Sequence, residues 1–235
     1  MEFTLFKELA DLPGITLITL VAACMLVAGL VVALVMAARR QKQEELTEAP
    51  PEKGQARALV YGALCVALSF LLSYLKLFEM PQGGSITLCS MLPIALYANW
   101  FGLRHGLIAG FVCGILQFIQ RPIAVHWLSP VLDYVLAFTC FGFAGLFKKS
   151  LPLGLFVGGV GRILCSTVSG AVFFAEYAPE GMNPWIYSTI YNTISLGPDA
   201  LICIVVAILP PVKRVFERMS PVKRQMAPRV TLENS

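Results

Sequence analysis

Charge is what this sequence has little of. Only 14% of its 235 residues are Asp, Glu, Lys or Arg, against 57% that are hydrophobic, whereas a soluble domain carries roughly 25% charged residues. That shortage excludes water as the main solvent of the folded chain. Histidine occurs only twice, and the seven cysteines (Cys24, Cys65, Cys89, Cys113, Cys140, Cys165, Cys203) never form a C-x-x-C pair. Such spacing argues against a zinc centre and a disulfide frame, so the cysteines read as small apolar packing residues and no metal or cofactor is expected. No Gly-x-x-x-x-Gly-Lys loop is present either, so ATP hydrolysis has to come from another chain. Ser169-Gly170 follows Thr167-Val168 without the glycine that precedes a nucleophilic serine, and His105 and His126 fall at opposite ends of neighbouring spans, which argues against a serine protease.

What the sequence does have is long apolar runs, at 15–38, 58–77, 86–101, 105–120, 125–147, 151–174 and 185–211. About 20 apolar residues cross a hydrocarbon core as a helix. The predicted fold is therefore an all-α integral membrane protein, with a six-helix bundle preceded by one extra N-terminal transmembrane helix. Residues 1–40 are the anchor, longer than a signal-peptide core and running into Arg39, Arg40 and Lys42. Residues 41–56, charged and carrying Pro50 and Pro51, are a cytoplasmic linker. Residues 57–212 are the bundle, and 213–235 a basic, Pro-broken cytoplasmic tail that touches anionic lipid. Placing that tail inside puts every Lys and Arg on the cytoplasmic side except Lys7, Lys76, Arg121 and the mid-span Arg162. The positive-inside rule selects this orientation, with the N-terminus outside. Basic residues gathered at span ends also argue against nucleic acid as a partner.

Within the spans, Gly102, Gly106, Gly110 and Gly114 recur every fourth residue, a stripe for close helix packing. Ala63 and Ala67 make a similar small-residue step, read on spacing alone as contact within the bundle. Charges inside spans are costly and face the protein interior. Arg162 and Asp199, both near mid-membrane, are expected to pair or hydrogen-bond with each other. Asp133, beside Tyr134 near the outer face, suits an organic cation through charge neutralisation and cation–π attraction. A Gly-rich outer loop, Met80-Pro81-Gln82-Gly83-Gly84-Ser85, reads as a lid, and a second outer loop leads into Tyr187, Tyr191 and Asn192. Aromatics at this depth also make interfacial belts. Asp133 and Asn192 at a similar depth favour a site.

Three blocks, Met80-Pro81-Gln82-Gly83-Gly84-Ser85-Ile86-Thr87-Leu88, Leu132-Asp133-Tyr134 and Tyr177-Ala178-Pro179-Glu180-Gly181 leading to Tyr187-Ser188 and Tyr191-Asn192, resemble the thiamin-specific S components of energy-coupling factor transporters. The resemblance covers roughly residues 56–216, the six-helix part. It implies a high-affinity thiamin-capture subunit in a bacterial plasma membrane, working with a shared transmembrane subunit and two ATPases. It also implies a thiamin site at Asp133, Tyr134, Ser166, Phe174, Tyr187 and Asn192 under the Gly83, Gly84 and Ser85 lid. Ala63 and Ala67 would then form the docking surface for the shared subunit. Three positions depart from the family pattern: Asp133 replaces the usual Glu, Ser166 stands where Arg-Phe-x-x-His places a histidine, and Phe174 stands where Trp is common. These changes leave open an S component for another vitamin or a thiamin precursor. A membrane scaffold is the reading without transport.

Overall fold

A computed structural model describes residues 52–80, 84–148, 150–179 and 181–219. The expected anchor at 15–38 lies outside the described residues, as do Gly83 and most of the linker. Helix α1 runs Glu52–Ser73, followed by the hairpin strands β1, Lys76–Glu79, and β2, Ser85–Thr87. Helices α2, Leu92–Phe101, and α3, Leu103–Gln120, come next. Helix α4, Val131–Leu146, is followed by α5, Leu151–Phe173, α6, Pro184–Ile208, and α7, Pro210–Met219. Four of these helices, α1, α3, α5 and α6, are long and apolar enough to cross a membrane.

Burial is inverted relative to a soluble protein. Leu59, Val60, Leu64, Leu68 and Leu71 of α1 are exposed, as are Ile186, Ile190, Ile194 and Val205 of α6, while Ser69, Ser166, Ser169, Ser188, Asn192, Ser195 and Asp199 are buried. Apolar-out and polar-in is the arrangement demanded by a lipid solvent. The apolar core, built on Met91, Ile94, Tyr97, Phe138, Phe141 and Leu155, draws on α2, α4 and α5. Cys65, Cys89, Cys113 and Cys203 are free and buried in it, the packing role read for them.

The glycine stripe packs α3 against α4. A Cβ on Gly110 would come within 2.6 Å of the Phe138 carbonyl oxygen, and one on Gly114 within 2.6 Å of the Tyr134 carbonyl oxygen. Gly142 answers from α4, where a Cβ would lie 2.5 Å from the Leu107 nitrogen. Backbones this close exclude any side chain between them. Gly102, at φ 90°, ends α2 and starts α3 in a left-handed conformation that suits glycine.

Two predicted spans start later than expected. Residues 86–101 do not form one helix: Ile86 and Thr87 are β-branched and pair with Phe78 and Lys76, Cys89 turns the chain at φ 58°, and Pro93 sits in the first turn of α2, where its missing N–H costs nothing. The 125–147 span becomes helical only around Pro130. Its first turn, Val131–Leu136, is a π-helix and its last part, Cys140–Leu146, a 3₁₀-helix. Beyond 208 the chain does not simply trail off: α7 places Val212 and Phe216 on one stripe and Lys213, Arg214 and Arg218 on the other.

Candidate functional site

A cavity of about 190 Å³ opens at the hairpin end of the bundle. Its walls come from the C-terminal end of α3, the start of α4, the last three turns of α5 and the first half of α6, with β2 and Gly84 above. Asp133, Tyr134, Ser166, Phe174, Tyr187 and Asn192 all line it, together with Gly84 and Ser85. Ala63 and Ala67 are elsewhere, exposed on α1. Among the described residues neither is buried against another helix, so the contact within the bundle read from their spacing does not form there.

Asp133 lies in the π turn of α4, where one extra residue per turn changes which side chains face inward. Ser169 of α5, 0% exposed, donates from Oγ to Asp133 Oδ2 at 2.5 Å. The carboxylate is thus held from the α5 side. Its neighbour Tyr134 donates from Oη to the Arg121 carbonyl at 2.7 Å and packs edge-on to Phe118, ring centroids 5.5 Å apart.

Opposite, α6 is capped by Asn183, which accepts from the Trp185 backbone N–H at 2.9 Å, with Pro184 in its first turn. Tyr187 and Tyr191 then stack on one face, 6.1 Å between centroids and 27° between planes. The Asn192 amide nitrogen donates to the carbonyls of Ser166 at 3.2 Å and Ser188 at 2.9 Å. Two carbonyl acceptors fix which end of the amide is nitrogen and leave its oxygen for the cavity. The two helices come this close because residue 170 is glycine: a Cβ there would run into Ser188 Oγ.

The roof is the hairpin. Gly84 donates its backbone N–H to Tyr191 Oη at 3.1 Å, and a Cβ on Gly84 would meet Ser195 Cβ at 2.9 Å. Thr87 donates to Asp199 Oδ2 at 2.7 Å, tying β2 to α6. On the outer side Lys76 Nζ lies 2.6 Å from Glu79 Oε1, and Arg121 lies 3.8 Å from Oε2. The Lys76 hydrogen bond, helped by the charges of Lys76 and Arg121, holds the Glu79 carboxyl below its usual range.

The expected pairing of Arg162 with Asp199 is not what forms. Asp199, 1% exposed, is satisfied by Thr87, and no Asp or Glu oxygen lies within 4.0 Å of the Arg162 guanidinium among the described residues. Arg162 instead lines the cavity with its guanidinium carbon 4.4 Å from the centroid of the Phe138 ring, and its Nε is buried without a partner. The pairing failed because a charge in a span needs some polar environment, and here the cavity supplies it. A signal for this was present: positions 162, 166 and 170 repeat every fourth residue and so share one face of α5. Thr87 and Ser169, also missed, are single small polar residues whose pattern carries no such signal.

Comparison with known proteins places these features in a lineage. The family described as thiamine transporter protein (Thia_YuaJ) matches residues 59–217. The chain is similar to the thiamine transporter ThiT of Bacillus subtilis, 32% identical over 170 residues that cover 64% of this chain and 88% of that protein. It is also similar to ThiT of Lacticaseibacillus paracasei, 34% identical over 139 residues, 51% of this chain and 67% of that protein. A solved structure of ThiT from Listeria monocytogenes superposes with a TM-score of 0.61 at 21% identity, covering 71% of this chain and 96% of that one, which establishes the shared fold.

Proposed function

This chain belongs to the thiamine transporter protein family, and on that premise we propose that the cavity beneath the hairpin is a high-affinity thiamin site, open to the outside of the cell. The chain is a multi-pass membrane protein of thiamin uptake. The observation that carries the finer reading is the convergence of Asp133, Tyr134, Ser166, Phe174, Tyr187 and Asn192 on one cavity, from three helices far apart in sequence. A carboxylate held by the Ser169 hydroxyl, in a cavity also lined by the stacked Tyr187 and Tyr191 rings, fits a thiazolium cation, which gains both charge neutralisation and ring contact.

Capture by itself moves nothing across a membrane. A shared transmembrane subunit and two ATPases supply the energy, and the first of these docks on the exposed Ala63 and Ala67 step of α1. Small residues there let a partner helix approach closely. Release follows when the partners favour a conformation with lower thiamin affinity, since a ligand shifts an equilibrium only by its differential affinity. The cytoplasmic side carries the C-terminus and α7.

The test is titration calorimetry of the detergent-purified chain with thiamin, riboflavin and biotin. None of Trp100, Trp127 and Trp185 lines the cavity, so heat is a more direct signal than tryptophan emission. Submicromolar thiamin binding that is lost in Asp133→Asn supports the reading. Thiamin binding unchanged by that substitution removes Asp133 from the site. Binding of another vitamin in place of thiamin assigns Ser166 and Phe174 to altered specificity.

A further inference from the structure

The end of the bundle away from the cavity carries a helix that vitamin capture does not use. Helix α6 stops at Leu209, where the chain leaves helical geometry at ψ 125°, and α7 begins with Pro210 and Pro211, whose missing N–H groups cost nothing in a first turn. Continued along the axis of α6, the chain would carry Phe216 about 12 Å past Ile208. Phe216 instead packs against the apolar core, so α7 turns back across the end of the bundle. Val212, Val215, Phe216 and Met219 fall at the spacing of one helical stripe. Val212 and Phe216 are half-buried, but Val215 is 50% and Met219 51% exposed. Around the rest of the helix Lys213, Arg214 and Arg218 are exposed, against one acid, Glu217.

We propose that α7 is an interfacial helix that docks on the anionic phospholipid headgroups of its own leaflet, with Val215 and Met219 at the acyl boundary and Lys213, Arg214 and Arg218 among the phosphates. Two observations select a lipid surface as the occupant. The exposed apolar residues of α7 follow directly on the exposed stripe Leu201, Val205 and Ile208 of α6, the flank that a spanning helix turns to lipid. Depth matches as well: α6 reaches about 37 Å against a hydrocarbon layer of roughly 30 Å, so the corner between α6 and α7 stands at headgroup level. A net basic helix there is drawn to anionic lipid, and its long cationic side chains carry charge to the phosphates while their stems cover apolar surface. Which vitamin fills the cavity has no bearing on this contact.

The test reads hydrogen exchange of the α7 amides in the full chain, held in phosphatidylcholine nanodiscs with and without added phosphatidylglycerol. Protection of α7 is expected to rise about tenfold or more with phosphatidylglycerol. High salt removes that rise, and so does the triple variant Lys213→Gln, Arg214→Gln, Arg218→Gln. Val215→Gln combined with Met219→Gln keeps the charges and weakens the apolar contact, so protection falls in both kinds of disc. These substitutions change exposed side chains, and unaltered exchange in α3 and α5 checks that the bundle is folded. The wild-type comparison stands even where a variant fails to fold. Protection that ignores lipid charge, or that survives loss of all three cations, overturns the proposal. Equal protection from inorganic phosphate in phosphatidylcholine discs overturns it in favour of a free anion, and an unchanged Val215→Gln, Met219→Gln variant overturns it in favour of a solvated helix.

Discussion

The backbone N–H of Gly84 and the phenol oxygen of Tyr191, 107 residues apart, are joined by a hydrogen bond of 3.1 Å that closes the hairpin over the cavity. The phenol supplies the acceptor and the hairpin the donor, so the roof is latched by a residue that also lines the site. Tyr191→Phe removes the acceptor and keeps the ring. Bound thiamin is then expected to dissociate about three- to tenfold faster, the value of one ordinary hydrogen bond, with a smaller change in association. Stopped-flow displacement measures both rates.

Asp133→Asn keeps shape and removes the charge. Thiamin affinity is expected to fall by about 30-fold or more, since losing one member of a desolvated charge pair costs at least about 2 kcal/mol. Ser169→Ala leaves the charge but frees Oδ2, and should cost about tenfold as a hydrogen bond to a charged group. Adding Ser169→Ala to Asp133→Ala should change nothing further, because the serine acts through the carboxylate. Calorimetry on the four proteins completes the cycle, and additive losses would contradict it.

Phe174→Trp restores the family's larger ring at a position on the cavity wall. Thiamin affinity should rise about two- to fivefold through added aromatic contact. A fall in affinity would mean that the smaller ring is matched to a different ligand.

Gly110→Ala places a methyl 2.6 Å from the Phe138 carbonyl oxygen, a backbone atom that has little freedom to yield. The α3–α4 contact must open, at about 1–3 kcal/mol, the usual cost of overpacking, seen as a lower thermal unfolding midpoint in detergent. By contrast, Ala63→Trp and Ala67→Trp add bulk to an exposed face. They should leave unfolding temperature and thiamin affinity unchanged and abolish association with the shared transmembrane subunit, measured by co-purification. An intact complex would remove that face from docking.

The bundle was legible because long apolar runs report the solvent directly. Of the six residues that line the cavity as expected, Asp133, Tyr134, Tyr187 and Asn192 come in loop-flanked blocks whose order is specific, whereas Ser166 and Phe174 were placed only by their position relative to the family pattern. The hairpin was not: Ser85-Ile86-Thr87 continues into an apolar run with no break, and only pairing with Lys76–Glu79 decides between strand and helix. Arg162 was assigned to Asp199 because both are isolated charges near mid-membrane, and hydropathy says nothing about how far each helix is rotated toward a cavity. Rotation also hid Ser169, which the π turn in α4 brings opposite Asp133.

Helix α4 has one more consequence, for the surrounding lipid. Val131–Leu146 reaches only about 24 Å at 1.5 Å per residue, while Pro184–Ile208 reaches about 37 Å. A hydrocarbon layer of roughly 30 Å therefore meets too short a wall at α4 and too long a one at α6. Mismatch of either sign is met by helix tilt or by local thinning or thickening of the bilayer. Acyl-chain length is then expected to alter the stability of this protein, which unfolding in bilayers of different thickness would measure.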